Sequence, residues 1–164
     1  MKKYKVLFID LDGTIINPRD GYTFPRGIWD MEINFKVLDA INNLQPNIIV
    51  IVTNQGGIEL GFVNKRNFEF KMEYIIRSIQ EYTGVFVEYS YCPFNDSKNH
   101  YRKPNTGMLD AAINKFAKLK KIPDDLLMED ILMVGDMATD ELTANNFGCD
   151  YLDVNDFIKN YRNE

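Results

Sequence analysis

The sequence has few cysteines and no long apolar run. Its two cysteines, Cys92 and Cys149, form no CxxC pair, which argues against a disulfide framework and against a cysteine-based metal site. The longest uninterrupted aliphatic run covers only residues 48–52, whereas a helix needs about 20 apolar residues to cross a bilayer. No membrane span is therefore expected. Aspartates at positions 10 and 12 interrupt the N-terminal apolar stretch before a signal-like segment forms, so we expect a cytoplasmic protein.

Positive charge is also in the minority. Nineteen lysines and arginines stand against 24 aspartates and glutamates, a net charge of −5. This balance argues against diffuse attraction to nucleic acid, although it allows a local basic rim. The hydrophobic share of 45% and the charged share of 26% exclude a disordered or fibrous chain. A length of 164 residues suits one ordinary domain, so residues 1–164 are expected to form a single domain.

Apolar runs alternate with amphipathic helical patterns along the chain. Four buried strands and a further short one are predicted at 5–9, 48–53, 85–91, 130–134 and near Tyr151. Between the strands, apolar residues recur at helical spacing, and Pro46 and Gly84 mark helix ends. This alternation is typical of parallel βαβ units. The sequence therefore predicts an α/β fold with a doubly wound parallel sheet, whose ligand site lies just beyond the carboxyl ends of the strands.

Polar residues directly follow the first two predicted strands. Asp10 and Asp12 come after the first strand, and strand alternation points their carboxylates the same way. Like charges this close are unfavourable unless a cation neutralises them or one of them takes a proton. Thr53, Asn54 and Gln55 follow the second strand together with two glycines, which is a possible cradle for phosphate oxygens. Taken alone, each stretch is also explained as an ordinary polar turn.

Two more polar clusters lie later in the chain. Arg102 and Lys103 precede a predicted helix, where positive charge opposes the helix dipole unless an anion lies nearby. Asp136 follows the fourth strand. Asp140, four residues later, either caps the helix or reaches back to Lys103 or to a metal-bound water. Four such clusters at the ends of one sheet predict a phosphate site, because acidic side chains suit Mg²⁺ and a carboxylate can attack phosphorus.

The four motifs DLDGT, TNQGG, RKP and GDxxxD stand in this order and span most of the chain. In that order they resemble the haloacid dehalogenase superfamily of phosphohydrolases, which has a Rossmann-like core. The forms TNQ and RKPxxGM resemble subfamily IIIA. That subgroup contains histidinol-phosphate phosphatase, heptose bisphosphate phosphatase and the 3′-phosphatase domain of polynucleotide kinase-phosphatase.

The resemblance implies a role for each motif residue. Asp10 would be the nucleophile that forms an aspartyl-phosphate, and Asp12 the general acid and base. Thr53 and Lys103 would hold the phosphoryl oxygens. The further residues that it implies are Asn54 and Arg102 on the substrate side, the Mg²⁺ ligands Asp10, Asp136 and the backbone carbonyl of Asp12, and Asp140 in support.

Two departures from the superfamily bear on the substrate. Many sugar-phosphate members carry a zinc loop before RKP, whereas this chain offers only Cys92 and His100 there. Tetrahedral zinc needs four ligands, so we expect no zinc, a buried Cys92 and a solvated His100. Residues 15–47 are expected to form one loop and one helix, and residues 54–102 a helix, a strand and a loop. No cap domain is therefore expected, and the open site admits a large substrate or a polymer end.

Sequence features favour different substrates. Segment 21–30 and the stretch YRKPNTGM resemble the polynucleotide 3′-phosphatase domain, whereas the CPF after the third strand resembles the sugar-phosphate enzymes. Trp29 either stacks on a base or packs beside Phe24 and Pro25. Basic residues predicted to lie in loops or helix starts at the site mouth are Arg19, Arg26, Lys65, Arg66, Lys98, Arg102 and Lys103. We expect a Mg²⁺-dependent phosphomonoester hydrolase acting on a 3′-phosphorylated nucleic-acid end or nucleotide, with a small sugar (bis)phosphate or histidinol phosphate as the alternative.

A phosphoacceptor module of the receiver type is the non-enzyme alternative, since it also uses a Mg²⁺-bound aspartate, a threonine and a Lys-Pro pair. In a receiver, however, the acceptor follows a middle strand. Here DLDGT follows the first strand, and RKP precedes the fourth. Hydrolysis of p-nitrophenyl phosphate with and without Mg²⁺ would separate the two.

Overall fold

The structure, a computed structural model, describes residues 1–19 and 30–162. The interpretations of Arg26 and of Trp29 with Phe24 and Pro25 concern residues outside that range. In chain order the strands and helices are β1 (Val6–Ile9), β2 (Ile16–Pro18), β3 (Met31–Ile33), α1 (Phe35–Leu44), β4 (Ile48–Asn54), α2 (Lys65–Thr83), β5 (Phe86–Cys92), α3 (Gly107–Lys118), β6 (Ile131–Gly135), α4 (Ala138–Phe147), β7 (Asp150–Asp153) and α5 (Val154–Asn160).

Five parallel strands form the central sheet in the order β5-β4-β1-β6-β7. Strand β1 shows why its sequence is apolar throughout. Leu7 and Ile9 pack into the layer that contains α1, α2 and α5, while Val6 and Phe8 pack into the layer that contains α3 and α4. Because side chains alternate between the two faces of a strand, a sheet covered on both faces needs apolar residues at every position. The predicted doubly wound α/β fold is confirmed.

The predicted helix ends agree with the structure. Helix α1 ends before Gln45 and Pro46, and α2 ends at Gly84, whose φ is 69°. The apolar stripe of α2 is buried as expected, but it stops short of Tyr82, which is 45% exposed. The same is true of Leu119, which follows α3 and is 55% exposed. Tyr82 lies near the end of α2, where its hydroxyl donates to Asp39 of α1.

A small antiparallel sheet corrects the expectation of one loop and one helix in residues 15–47. Strands β2 and β3 pair with Ile16 opposite Ile33. Each strand has three residues, too few to show an alternating pattern in the sequence. The pair is anchored by tertiary contacts, because Ile16 and Met31 are buried in the core.

The chain reverses its winding direction next to β1. It runs from β1 to β4 and β5 on one side, then crosses to β6 and β7 on the other. Ligands of doubly wound sheets bind at this reversal, beyond the carboxyl ends of the strands. Asp10 leaves β1 there, and its N–H donates to the carbonyl of Val134 in β6 at 2.9 Å. Among the described helices, none combines the length and the apolar character needed to span a membrane.

Candidate active site

Three carboxylates and one ammonium group meet between the ends of β1 and β6. Carboxylate oxygens of Asp10, Asp136 and Asp140 all lie within 4.8 Å of one another. Lys103 Nζ donates to Asp10 Oδ1 at 2.7 Å and to Asp140 Oδ1 at 2.6 Å. Asp10, Asp140 and Lys103 are buried, whereas Asp136 is exposed. The fold thus joins residues of three motifs that lie far apart in the sequence.

The charge of this cluster suits a divalent cation. Burial raises the pKa of Asp10 to about 7, although the Lys103 ammonium opposes the shift. Burial also raises the pKa of Asp136. Burial alone would lower the pKa of Lys103, but the carboxylates of Asp10 and Asp140 outweigh it and raise that pKa. Only one ammonium group faces three carboxylates in this cluster. The raised pKa values of Asp10 and Asp136 mean that their negative charges are disfavoured at this site unless a further cation is present. Such an oxygen-rich, negatively charged set fits a hard cation such as Mg²⁺.

Two glycines allow the carboxylates to come this close. At Gly13, whose φ is 80°, a Cβ would overlap the carboxylate of Asp136. At Gly135, a Cβ would overlap the carboxylate of Asp140. A larger residue at either position would push an acidic side chain out of the cluster. This explains the glycine in both DLDGT and GDMATD.

Asp140 serves two structural roles at once. Its Oδ2 accepts the backbone N–H of Met137 at 3.1 Å and so caps the start of α4. Its Oδ1 accepts from Lys103 Nζ. The two alternatives raised by the sequence, a helix cap and a contact with Lys103, are therefore both present.

Gln55 joins the first two motifs, a connection that sequence reasoning missed. Its Nε2 donates to Asp12 Oδ2 and to Thr53 Oγ1, each at 2.9 Å. Thr53 is buried, and among the described residues its hydroxyl is found only as an acceptor, from Gln55. Its own proton is therefore available to a ligand. One signal was available, since Gln55 lies two residues after Thr53 and residues at that spacing share a side of an extended strand.

The second oxygen of Asp12 has no hydrogen-bond partner among the described residues. Asp12 Oδ1 is buried, and it makes no hydrogen bond within the part of the chain that the structure describes. Buried polar atoms are nearly always hydrogen-bonded, so an unpaired carboxylate oxygen needs an explanation. A ligand that exchanges a proton with Asp12 would provide one.

The two residues predicted to contact substrate have other contacts in the structure. Asn54 Nδ2 donates to the carbonyl of Lys103 at 3.0 Å, and Asn54 Oδ1 accepts the N–H of Lys103 at 2.9 Å. Asn54 thereby holds the backbone of the RKP turn. Arg102 Nη1 donates to the carbonyl of Phe94 at 3.0 Å. The substrate contacts of Asn54 and Arg102 stay predictions.

The loop before RKP has the predicted exposure pattern. Cys92 is buried at the end of β5, with its Sγ 3.7 Å from the carbonyl oxygen of Phe94. His100 is exposed, and its ring packs edge-on against that of Tyr101. The expected absence of zinc stays a prediction. Lys103, however, does not belong to the basic rim, because its ammonium is buried among carboxylates.

Known proteins that resemble this chain match it over the region that contains the four motifs. A sequence model of the family described as "Polynucleotide kinase 3 phosphatase" matches residues 5–160. The chain belongs to this family. The match contains all four motifs, and the resemblance to subfamily IIIA of the haloacid dehalogenase superfamily is confirmed. This member of the polynucleotide kinase 3 phosphatase family is a phosphatase of the haloacid dehalogenase type.

Individual relatives of this family member have differing functions. Over 154 residues it is 32% identical to the D-glycero-beta-D-manno-heptose-1,7-bisphosphate 7-phosphatase of Haemophilus ducreyi. The aligned part covers 88% of this chain and 79% of the relative. It is 28% identical to the histidine biosynthesis bifunctional protein HisB of Legionella pneumophila over 92% of this chain. The chain spans only 41% of HisB.

A solved structure shows the same fold. It is that of D,D-heptose 1.7-bisphosphate phosphatase from B. bronchiseptica, complexed with magnesium and phosphate. The TM-score is 0.72 at 23% sequence identity, covering 90% of this chain and 78% of the other.

Proposed function

We propose that this phosphatase is a Mg²⁺-dependent phosphomonoester hydrolase that works through an aspartyl-phosphate on Asp10. The observation that carries the proposal is the buried contact of Asp10 with Lys103 inside a cluster of three carboxylates. The carboxylates of Asp10 and Asp136, with the backbone carbonyl of Asp12, would hold the cation. When bound, Mg²⁺ offsets the repulsion between the Asp10 carboxylate and an incoming phosphate.

The first half-reaction transfers the phosphoryl group to the enzyme. An Asp10 carboxylate oxygen attacks phosphorus, and the bond between phosphorus and the ester oxygen breaks. Asp12 gives its proton to the leaving alcohol. The Thr53 hydroxyl and the Lys103 ammonium donate hydrogen bonds to the phosphoryl oxygens, on which charge is concentrated in the transition state.

The second half-reaction releases phosphate. Asp12, now ionised, takes a proton from a water molecule that attacks the phosphorus of the aspartyl-phosphate. The bond between phosphorus and Asp10 breaks, and inorganic phosphate leaves. Gln55 occupies Asp12 Oδ2, so Oδ1 is the oxygen that exchanges the proton in both steps. Acid–base assistance of this kind typically contributes about 10²–10⁴-fold.

Trapping the intermediate tests this mechanism. Asp12→Asn should slow dephosphorylation, so incubation with p-nitrophenyl phosphate, whose leaving group needs little protonation, should add one phosphoryl group to Asp10. Intact and peptide mass spectrometry would detect it. The matched control is Asp124→Asn, an exposed aspartate paired with Lys120, which should turn over normally. A phosphoryl group on any other residue would contradict the assignment of Asp10.

For the substrate, we propose a 3′-phosphorylated nucleic-acid end or nucleotide. The family description supports this choice, and so do exposed aromatic side chains in the loops after β4 and β5. Phe62, Phe94 and Tyr101 are 83%, 47% and 49% exposed. Tyr101 directly precedes Arg102. Aromatic faces beside positive charge are typical of surfaces that stack and hold single-stranded ends.

A compact sugar (bis)phosphate or histidinol phosphate is the second candidate, favoured by the 32% identity to a heptose bisphosphate phosphatase. Phosphate release from a 3′-phosphorylated decanucleotide, a nucleoside 3′-monophosphate, a sugar bisphosphate and histidinol phosphate separates the two. A nucleic-acid enzyme should show kcat/KM rising with chain length. Equal values for mononucleotide and decanucleotide, below that of a compact phosphate, would favour the second candidate.

A further inference from the structure

Lys71 is a buried lysine that the mechanism does not use. It lies on α2 with 5% of its surface exposed. Lysine is almost never buried unless it is paired. Within residues 1–19 and 30–162, no salt bridge or hydrogen bond of Lys71 is found. Its Nζ lies 5.5 Å from the ring centroid of Phe68, which is a weak interaction compared with a carboxylate partner.

Helix geometry directs the side chain of Lys71 toward the carboxyl edge of the sheet. Helix α2 begins at Lys65. In a parallel α/β fold, the N-terminus of a helix that follows a strand lies at the carboxyl edge of the sheet. Helical side chains lean toward the helix N-terminus and therefore toward that edge. Phe68, one turn before Lys71, packs against Tyr91 near the end of β5 with ring centroids 4.8 Å apart. Lys71 therefore lies on the side of the site formed by β4, β5 and α2.

Asp12 is the acidic group that acts on Lys71. Burial lowers the pKa of Lys71, and the negative charge of Asp12 works against that shift. Asp12 Oδ1 is itself buried without a hydrogen-bond partner among the described residues. Within the described chain, a buried ammonium group and a buried carboxylate oxygen that both lack hydrogen-bond partners are thus close enough to interact electrostatically. In the proposed mechanism that region receives the leaving alcohol.

Lys103 shows which kind of partner a buried lysine has at this site and Lys71 lacks among the described residues. Both lysines are buried, but Lys103 has two carboxylates within 2.7 Å, whereas Lys71 has none in salt-bridge contact in the described chain. Burial of an unpaired charge is costly. An anionic oxygen of the substrate would offset that cost, and lysine is a common point-charge ligand for phosphate.

We propose that Lys71 binds a second anionic group of the substrate, a phosphate or phosphodiester carried by the leaving alcohol. The inference rests on the proposed function, because it takes Asp12 as the residue next to the leaving group. Two sources share this chemistry. One is the phosphodiester that precedes a 3′-terminal phosphate, and the other is the second phosphate of a sugar bisphosphate.

The test compares Lys71→Met with Arg77→Met, which removes a positive charge from the exposed face of the same helix. Four substrates are used. They are p-nitrophenyl phosphate, a sugar bisphosphate, and a 3′-phosphorylated dinucleotide with either a phosphodiester or a neutral methylphosphonate linkage. In Lys71→Met, kcat/KM for a substrate with the second anion should fall roughly tenfold to a hundredfold more than for p-nitrophenyl phosphate, mainly through KM. Arg77→Met should act like the unmodified enzyme.

The outcomes distinguish the sources. Selective loss on the phosphodiester but not on the methylphosphonate dinucleotide supports the proposal and identifies a nucleic-acid end. Selective loss on the sugar bisphosphate supports it and identifies a compact substrate. An equal loss on all four substrates would overturn it, because Lys71 would then act only through Asp12. Unchanged kinetics on all four would overturn it too.

Two further measurements keep the test decisive. Thermal unfolding shows whether Lys71→Met is folded, and if it is not, Lys71→Gln is compared across the same substrates.

Failure of the proposed function looks different from failure of this inference. In the first case the unmodified enzyme hydrolyses none of the substrates, whereas in the second it hydrolyses them and the Lys71 variants lose no selectivity.

Discussion

The two sides of the active site differ in how their charges are satisfied. On the side proposed to hold the phosphoryl group, here called the phosphoryl side, Lys103 is held between Asp10 and Asp140, and Asp140 is also bonded to the backbone of α4. On the leaving-group side, Asp12 Oδ1 and Lys71 have no hydrogen-bond partner in the described chain. The buried lysine of the first side thus has carboxylate partners within the described chain, and the buried lysine of the second side does not.

In the proposed mechanism, the phosphoryl side serves the chemical step and the leaving-group side determines which alcohol is accepted. Groups that stabilise a transferring phosphoryl group act best when the protein has already oriented them. In the proposed mechanism, the contacts of Lys103 with Asp10 and Asp140 provide that orientation. Groups that choose the alcohol must be satisfied by that alcohol. Selectivity is therefore expected to depend on the turn after β4 and on α2, rather than on β1 and β6.

Asp10→Asn should cause the largest loss of activity among the variants of the phosphoryl side. An amide is a poor nucleophile of nearly the same shape, so turnover should fall on the order of 10³-fold or more while the fold persists. Phosphate release and circular dichroism would measure the two effects. Retention of a tenth of the unmodified activity would show that Asp10 is not the nucleophile.

Removal of Mg²⁺ should have the next largest effect. We expect a chelator to abolish activity and added Mg²⁺ to restore it, because three carboxylates face only one ammonium group. Excess Ca²⁺ should inhibit, since its larger and looser coordination would place Asp10 off the line of attack. Full activity in the chelator would contradict the assignment of a metal to this cluster.

Lys103→Met tests whether the phosphoryl side is also a stability element. Removing the ammonium leaves two buried carboxylates without their cationic partner, which should lower the free energy of unfolding by about 3–5 kcal/mol. Denaturant unfolding without metal would measure it. Adding Asp140→Asn to the variant should recover part of the loss. A double variant as unstable as the single one would contradict electrostatic pairing as the cause.

Gln55→Leu tests the link between the two sides. It removes the hydrogen bonds to Asp12 Oδ2 and Thr53 Oγ1, so kcat should fall on the order of tenfold, a fraction of the full acid–base contribution. The pH dependence of kcat should change with it, whereas a purely structural loss would leave the profile in place. Gln80→Leu, which loses a bond to the backbone of Val87, is the control.

Charges at the outer rim should matter least. Arg19→Ala and Lys65→Ala should each weaken cleavage of a 3′-phosphorylated decanucleotide by about twofold to fivefold and reduce its salt dependence, because fewer counterions are released on binding. Hydrolysis of p-nitrophenyl phosphate should hardly change. Lys118→Ala, at the far end of α3, is the control. An equal effect of all three variants would indicate a non-specific charge effect.

Local pattern was sufficient to predict the sheet and the meeting of Asp10 with Asp136 at its carboxyl edge. Strand runs such as Ile48–Asn54 and the stripe of α2 follow directly from the spacing of apolar residues. The carboxyl ends of parallel strands meet at one edge, so Asp10 and Asp136 could be placed together from topology alone. Gly13 and Gly135 were part of the motifs, although their close approach to carboxylates was visible only in three dimensions.

The sequence by itself determined the fold class, the order of the motifs and the position of the acidic residues, because these depend on periodicity and on strand ends. Only the tertiary structure decided which partner each polar side chain has. Gln55 bonds Asp12 across 43 positions, Asn54 turns to the backbone of Lys103, and Lys71 is buried without a carboxylate partner in the described chain. Such contacts depend on how helices and turns pack against the sheet, and packing partners distant in sequence leave no local pattern.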